Sequence, residues 1–436
     1  MSHVVVREHA LLTTAATVRD LDAASVSATA FNYLRRLSAS FRKSGAALVQ
    51  VESGIALRLD NYVGIIETPC GTVIEVLPKH LPGAGSAQES RALLIKMLSV
   101  VLDVPAREAG EADIQLMRRP LTEWLMRRFV MALERLVKRG LRADYLRVDA
   151  EERFLRGQLA IPLQLRQPPG RQDRFRIRHD VYSFDRAENR LLKLAASRVR
   201  ARTREAATWR SACELETLLA DVPASRDVAA DFGAWRGDRL MAHYADARRW
   251  CELVLGVHMP VAQAGAHRGM SLLFPMERLF EEYVARMLAK QLAPGVSMTR
   301  QASSQYLCRH DEGRIFQLRP DIVLSGPDGA IWVLDTKWKL LDASDRPGKY
   351  GLSQSDFYQL HAYGHSYLDG CGELFLVYPF TPKFPRELPA FHFSDRLRLR
   401  VMPFDLETDT LVVEDTSFLR RTQAVAAPAG RVAIEI

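Results

Sequence analysis

Cysteine is scarce in this chain of 436 residues. The five cysteines, Cys70, Cys213, Cys251, Cys308 and Cys371, are scattered, odd in number and never spaced as CxxC. That excludes a dense disulfide framework and a cysteine-built zinc cluster, and it points to reduced thiols in a cytoplasmic protein. Long apolar runs are missing as well: no stretch reaches the roughly 18 residues that a membrane-spanning helix requires. The opening residues, Met1-Ser-His-Val-Val-Val-Arg-Glu-His9, lack the apolar core of a signal peptide, so no membrane association is expected. A phosphate-binding loop of the form GxxxxGK[ST] is also absent. Gly348-Lys349 is followed by Tyr350 and lacks the upstream glycine. The chain is therefore not expected to hold a nucleotide through such a loop.

What is present fits a multidomain α+β or α/β protein. The length exceeds one ordinary core, so two or three domains are expected. Net charge is +8 and the pI about 9.3, which suits phosphate backbones, although richness in arginine and alanine also follows genome composition. Residues 1–112 read as a β-rich domain of the small barrel or sandwich type. It holds a helix at 27–44, short strands at 47–51, 55–59, 62–66 and 72–77, and the start of a further helix at 90–102. Residues 113–265 read as mainly helical and arginine-rich. Leu121, Trp124, Leu125, Phe129, Leu133 and Leu136 recur at helical spacing, and Gly140 ends that helix.

Further along the middle region, Arg171, Arg174, Arg176 and Arg178 surround Phe175. They suit either a strand that contacts a nucleic-acid backbone or partner, or an exposed strand face of alternating charge, and the second is favoured. Asp185 is placed to cap a helix running to Arg204, and 239–257 reads as one long helix. A linker is expected at 258–270, a third domain at 266–436, and a poorly ordered tail from Thr422.

The third domain carries the chemistry. In Phe316–Lys339, two apolar β-branched runs flank Ser325-Gly-Pro-Asp-Gly329, which predicts a hairpin. Side chains alternate along a strand, so Asp335 and Lys337 share a face, and cross-strand pairing can bring Asp321 beside Asp335. Two carboxylates with a lysine form a hard oxygen site suited to Mg²⁺ or Mn²⁺ and to attack on a phosphodiester. Upstream, Met276–Gln291 reads as an amphipathic helix bearing Glu277, Glu281 and Glu282. Downstream, Gln359 and Tyr363 stand one helical turn apart. His361 and His365 also have metal spacing, but there is no third ligand and no zincin glutamate. Cys308 has no general base around it and reads as core.

Pro320-Asp321 with Asp335-Thr336-Lys337 resembles the PD-(D/E)xK nuclease motif, and Gln359 with Tyr363 resembles the QxxxY helix of its RecB-like branch. The resemblance implies Asp321, Asp335 and the Thr336 carbonyl as metal ligands, Glu281 as a third acidic ligand with Glu277 and Glu282 as rivals, and Lys337, Gln359 and Tyr363 as catalytic neighbours. Asn61-Tyr-Val-Gly-Ile-Ile-Glu-Thr-Pro-Cys-Gly-Thr-Val-Ile-Glu-Val-Leu-Pro-Lys79 is more specific. With Phe184-Asp-Arg-Ala-Glu-Asn-Arg-Leu-Leu-Lys193, it resembles the McrC family, the nuclease subunits of the McrBC restriction system for modified cytosine.

That resemblance implies a Mg²⁺-dependent DNA endonuclease with a PD-(D/E)xK domain. It also implies a hexameric AAA+ GTPase partner of McrB type, which carries the GTP, has its hydrolysis stimulated, and receives the N-terminal part of this subunit in its ring. Double-stranded DNA with modified cytosine is the implied substrate, and nuclease domains of this kind can also pair. A non-catalytic activator of the GTPase and a stand-alone RecB-like nuclease are the alternatives.

Overall fold

A computed structural model of the chain describes residues 2–18, 20–41, 48–79, 86–104, 120–168, 170–171, 173–236, 239–256, 272–413 and 417–419. The expected linker and the tail from Thr422 lie outside them. The chain is a mixed α and β structure with several sheets.

Near the N-terminus, two four-stranded sheets face each other across an apolar core that also takes Phe31, Leu34 and Leu37 from helix Ala28–Phe41. In one sheet, strand His3–Arg7 runs parallel to Val73–Leu77, which pairs with Tyr62–Glu67. Every residue of Tyr62–Glu67 is buried. Ile66 enters the core between the two sheets, whereas Val63 and Ile65 enter a second, larger core on the other face. Burial on both faces is why Tyr62-Val-Gly-Ile-Ile66 reads as an unbroken apolar run rather than an alternating one.

The fourth strand of that sheet is Leu272–Pro275, which pairs antiparallel with Tyr62–Glu67 and leads directly into helix Met276–Ala289. The backbone N–H of Met276 donates to Asn61 O at 2.8 Å, so the helix begins on the N-terminal sheet. The larger core draws on residues from Val63 to Phe418, across the expected boundaries at 112 and 265.

Glu75 organises the next layer. It is 1% exposed and accepts a fork from Arg91, with Nε to Oε1 at 2.6 Å and Nη2 to Oε2 at 2.9 Å, while Leu121 N–H donates to Oε1 at 3.2 Å. The start of helix Leu121–Arg139 and one face of helix Ala87–Val101 are thus tied to the same buried carboxylate. Helices Leu121–Arg139, Ala187–Arg202, Ala206–Leu218 and Ala245–Leu255 pack together around Trp124, Leu191, Leu215 and Trp250.

Three local expectations are corrected here. Asp185 does not cap its helix. Arg186 takes the cap position, and Asp185 pairs with Arg190 at 2.5 Å. The stretch 239–257 is not one helix: a 3₁₀ turn at Arg239–Tyr244 precedes Ala245–Leu255. Met241 and Tyr244 are both buried at a spacing of three, the repeat of that tighter turn. Cys308 is exposed, because Tyr306–His310 and Gly313–Gln317 form a separate two-stranded hairpin outside the main sheet.

The clustered arginines lie in strand Phe175–Ser183 or just before it, and Asp144–Glu152 pairs with that strand. Arg176 meets Glu151 at 2.7 Å and Arg178 meets Asp149 at 2.7 Å, with Arg171 and Arg174 near Glu151. The alternating exposed face is what forms, with acids on the neighbouring strand opposite the bases.

Gly64 shows why the Tyr62–Lys79 stretch tolerates no side chain at one point. Its φ is +130° and a Cβ there would lie 2.0 Å from Leu272 O. Gly64→Ala should cost about 2–4 kcal/mol of stability through strain and overpacking. Chemical denaturation of wild type and variant measures it.

Candidate active site

The C-terminal sheet places the site. Its strands run in the order Ser297–Arg300, Ile322–Ser325, Ile331–Thr336, Gly372–Pro379, Leu397–Asp405 and Phe391–His392, with Thr410–Leu411 also on Leu397–Asp405. Ile322–Ser325 and Ile331–Thr336 form the expected hairpin, with Ile322 opposite Leu334. Gly372–Pro379 runs parallel to Ile331–Thr336. Alternation then sorts the side chains. Val323 and Val333 face the core under helix Gln354–Leu368, whereas Ile322, Leu324 and Leu334 face the core that holds helix Met276–Ala289. Asp321, Asp335 and Lys337 share the parity of Val323 and Val333 and lie on the Gln354 side.

The geometry there is compact. Thr336 donates twice to Asp321 Oδ2, from its backbone N–H and its hydroxyl, each at 2.8 Å. Asp335 is 1% exposed, and Lys337 Nζ lies 2.6 Å from its Oδ2. That contact is an ion pair, and the ammonium supplies the counter-charge at Oδ2. Lys337 Nζ donates to Gln359 Oε1 at 3.4 Å, Gln359 Nε2 donates to the Tyr363 hydroxyl at 2.6 Å, and that hydroxyl donates to Arg319 O at 3.0 Å. Helix Gln354–Leu368 lies close enough to make this chain because Gly364 has no Cβ, which would otherwise sit 2.6 Å from Leu397 Cδ2.

Burial sets the electrostatics. It pushes Asp335 from an ordinary 3.8 up to about 7, and the Asp321 charge pushes the same way against the opposing Lys337. Burial also raises Asp321, partly offset by the Thr336 donors. Burial disfavours the Lys337 ammonium, but Asp335, Asp356 and Asp321 outweigh it and the pKa is raised. The lysine stays protonated.

Of the three glutamates on helix Met276–Ala289, Glu281 is the one that senses the site. Its pKa is raised by burial and then by Asp321, and Gln301 donates to it. Glu282 is held by Arg286 at 2.7 Å and by Arg300, and Glu277 acts on Glu8 instead. The rings of His361 and His365 meet edge to face, and among the described residues no group of three or more His, Cys, Asp or Glu side chains is arranged to hold a metal ion. The hard oxygen donors gathered here are the carboxylates of Asp321 and Asp335, with Glu281 close enough to feel the Asp321 charge. Two adjacent carboxylates, each with its pKa raised by burial, are a hard-oxygen donor pair that a divalent cation would fit.

One residue escaped the sequence reading, and another has a contact beyond the expected one. Asp356, in the first turn of helix Gln354–Leu368, acts on both Asp335 and Lys337 and accepts from the Tyr378 hydroxyl at 3.4 Å. Its place before Phe357 and Gln359 was the only available signal. The hydroxyl and N–H of Thr336 orient Asp321, a role distinct from its expected carbonyl.

The raised Asp335 pKa has a defined sign in the metal-free chain. Between about pH 4 and 7 the unfolded carboxyl ionises while the folded one stays protonated, so this group lowers stability as pH rises and the full penalty remains above 7. Asp335→Asn should therefore raise the melting temperature at pH 8 and have little effect at pH 4. Thermal melts of both proteins in chelator across that range test the sign.

A chain from a refined half-complex of the tetradecameric assembly of Thermococcus gammatolerans McrB AAA+ hexamers with bound McrC superposes with a TM-score of 0.69 at 18% identity, covering 93% of this chain and 95% of that one. A chain of the Thermococcus gammatolerans McrBC complex gives a TM-score of 0.49 at 19% identity, covering 66% of this chain and 88% of that one. No curated protein sequence matches. The model of the family described as McrBC 5-methylcytosine restriction system component matches residues 57–379, from the strand before the Tyr62–Lys79 stretch to the end of the strand beside the Ile322–Thr336 hairpin. The chain belongs to that family.

Proposed function

We propose that the chain is the nuclease subunit of a restriction complex directed at modified cytosine, hydrolysing DNA phosphodiesters and stimulating a hexameric AAA+ GTPase of McrB type. The observation that carries the nuclease reading is the gathering of Asp321, Asp335 and Lys337 on one strand face, with Asp335 buried and paired to the Lys337 ammonium at 2.6 Å. Asp321, Asp335, the Thr336 carbonyl and Glu281 would hold Mg²⁺ or Mn²⁺. That cation would supply polarisation of the phosphate and hydroxide at neutral pH. Thr336 fixes Asp321 through two hydrogen bonds.

Lys337 remains an ammonium and is steered by Gln359, which Tyr363 holds in turn. Its task is to neutralise charge that develops on the phosphate, and its raised pKa disfavours a role as general base. The RecB-like PD-(D/E)xK reading of Pro320-Asp321, Asp335-Thr336-Lys337 and Gln359 with Tyr363 fits these contacts.

The partner reading rests on family membership and on the likeness to a chain from an assembly of McrB hexamers with bound McrC. Among the described residues, exposed apolar side chains concentrate outside the stretch 1–112. Tyr145, Phe154, Leu155, Leu165 and Tyr182 stand out on or beside the sheet of Asp144–Glu152 and Phe175–Ser183. Exposed aromatic and aliphatic side chains set among the charge pairs of this sheet and in the loops beside it mark a protein interface, and the GTPase ring is the occupant proposed for it.

Two experiments separate the readings. Lys337→Ala should cut DNA about 10²–10³-fold more slowly while binding metal and stimulating the partner normally. Lys337→Arg, with a planar fork instead of a compact ammonium, should also be severely slowed. Wild-type cleavage in Lys337→Ala would remove the lysine from the chemistry. Phe154→Asp with Leu165→Asp should melt like wild type yet lose stimulation of GTP hydrolysis, and undiminished stimulation would place the contact elsewhere.

A further inference from the structure

Glu8 follows strand His3–Arg7 and is 1% exposed. Its Oε1 accepts two hydrogen bonds, from Lys79 N–H at 2.8 Å and from the Trp338 indole Nε1–H at 2.7 Å. Its Oε2 is buried with no hydrogen-bond partner. Lys79 closes the Tyr62–Lys79 motif, and Trp338 immediately follows Lys337. A buried carboxylate with an unsatisfied oxygen costs stability, and an apolar side chain of similar size would remove that cost. The position calls for an acceptor at this point in space.

Trp338 is the reason. Lys337 points to the Gln354 side of its strand, so Trp338 points to the other. There its ring packs on Phe280, with centroids 5.2 Å apart. Phe280 is fully buried and precedes Glu281. One indole therefore braces two parts of the site: the backbone that carries Thr336 and Lys337, and the helix that carries Glu281. The Met276 helix is itself started by the Asn61 carbonyl. Both routes end on the N-terminal sheet.

We infer that Glu8 is a positioning residue for the cleavage site, holding Trp338 so that Lys337 and Glu281 keep their separation, and thereby tying the site to the sheet that carries the Tyr62–Lys79 motif. The inference rests on the nuclease reading above for its consequence, and on the Glu8–Trp338 hydrogen bond for its geometry. Glu8 touches neither substrate nor metal and acts through the indole alone.

The test uses the full chain with Glu8→Ala, Glu8→Gln and Trp338→Phe. Mn²⁺ affinity is titrated on the chain without DNA, and cleavage of methylated plasmid is followed with the GTPase partner, GTP and saturating Mg²⁺. Glu8→Ala and Trp338→Phe should bind Mn²⁺ and turn over DNA about tenfold more weakly, the range expected when a group that orients a ligand is removed. The KM for DNA, the melting temperature and the stimulation of GTP hydrolysis should stay near wild type. Glu8→Gln keeps an oxygen acceptor and should recover most of both losses.

Wild-type Mn²⁺ affinity in Glu8→Ala overturns the inference. So does a loss in which Glu8→Gln fares no better than Glu8→Ala and the melting temperature falls with it, because that is the signature of bulk packing. A wild-type chain that binds Mn²⁺ but leaves DNA uncut overturns the nuclease reading, and the Mn²⁺ affinities of the variants then decide the role of Glu8 on their own.

Discussion

A buried carboxylate, Asp335, beside a half-buried one, Asp321, is the constraint around which the C-terminal half is built. Asp335 is almost fully buried and feels Asp321, and neither charge is welcome there in the absence of a counter-charge. The hairpin cannot relieve this by sliding, since a shift of one residue would turn Val323 and Val333 out of their core. Lys337 offsets part of the charge, Thr336 takes two lone pairs of Asp321, and the remaining unfavourable energy is borne by the apolar cores on both faces of the sheet. A site that destabilises its own fold in this way is suited to a ligand of opposite charge.

The N-terminal sheet is part of the same mechanical unit. It lends its edge to Leu272–Pro275, begins the Met276 helix, and reaches the residue after Lys337 through Glu8. The Tyr62–Lys79 stretch has no catalytic spacing, and its physical content lies in packing: a strand buried on both faces, a glycine against a neighbouring backbone, and Glu75 gripping two helices. Phe184–Lys193 is similar. Asn189 is wholly buried and donates to Arg142 O and Phe184 O while accepting from the Tyr244 hydroxyl, which joins the helix to two neighbours.

The sequence alone determined the local elements whose signal is periodic. Helix Leu121–Arg139 and the Ile322–Thr336 hairpin lie within a residue or two of their expected ends, because apolar spacing and turn chemistry act over short range. The same logic put Asp335 and Lys337 on one face, since strand alternation needs no tertiary information. Tertiary structure decided what depends on approach between distant segments. Among three glutamates on one helix, a family resemblance favoured Glu281 over Glu277 and Glu282, and the docking of that helix is what sets Glu281 towards Asp321 while giving Glu282 to two arginines. Cys308 and its exposed hairpin, the 3₁₀ turn at 239–244 and the cap taken by Arg186 followed from contacts that no local pattern encodes. Glu8, at the far end of the chain from Trp338, is the extreme case: a hydrogen bond between residues so distant in sequence exists only once the sheets between them have packed.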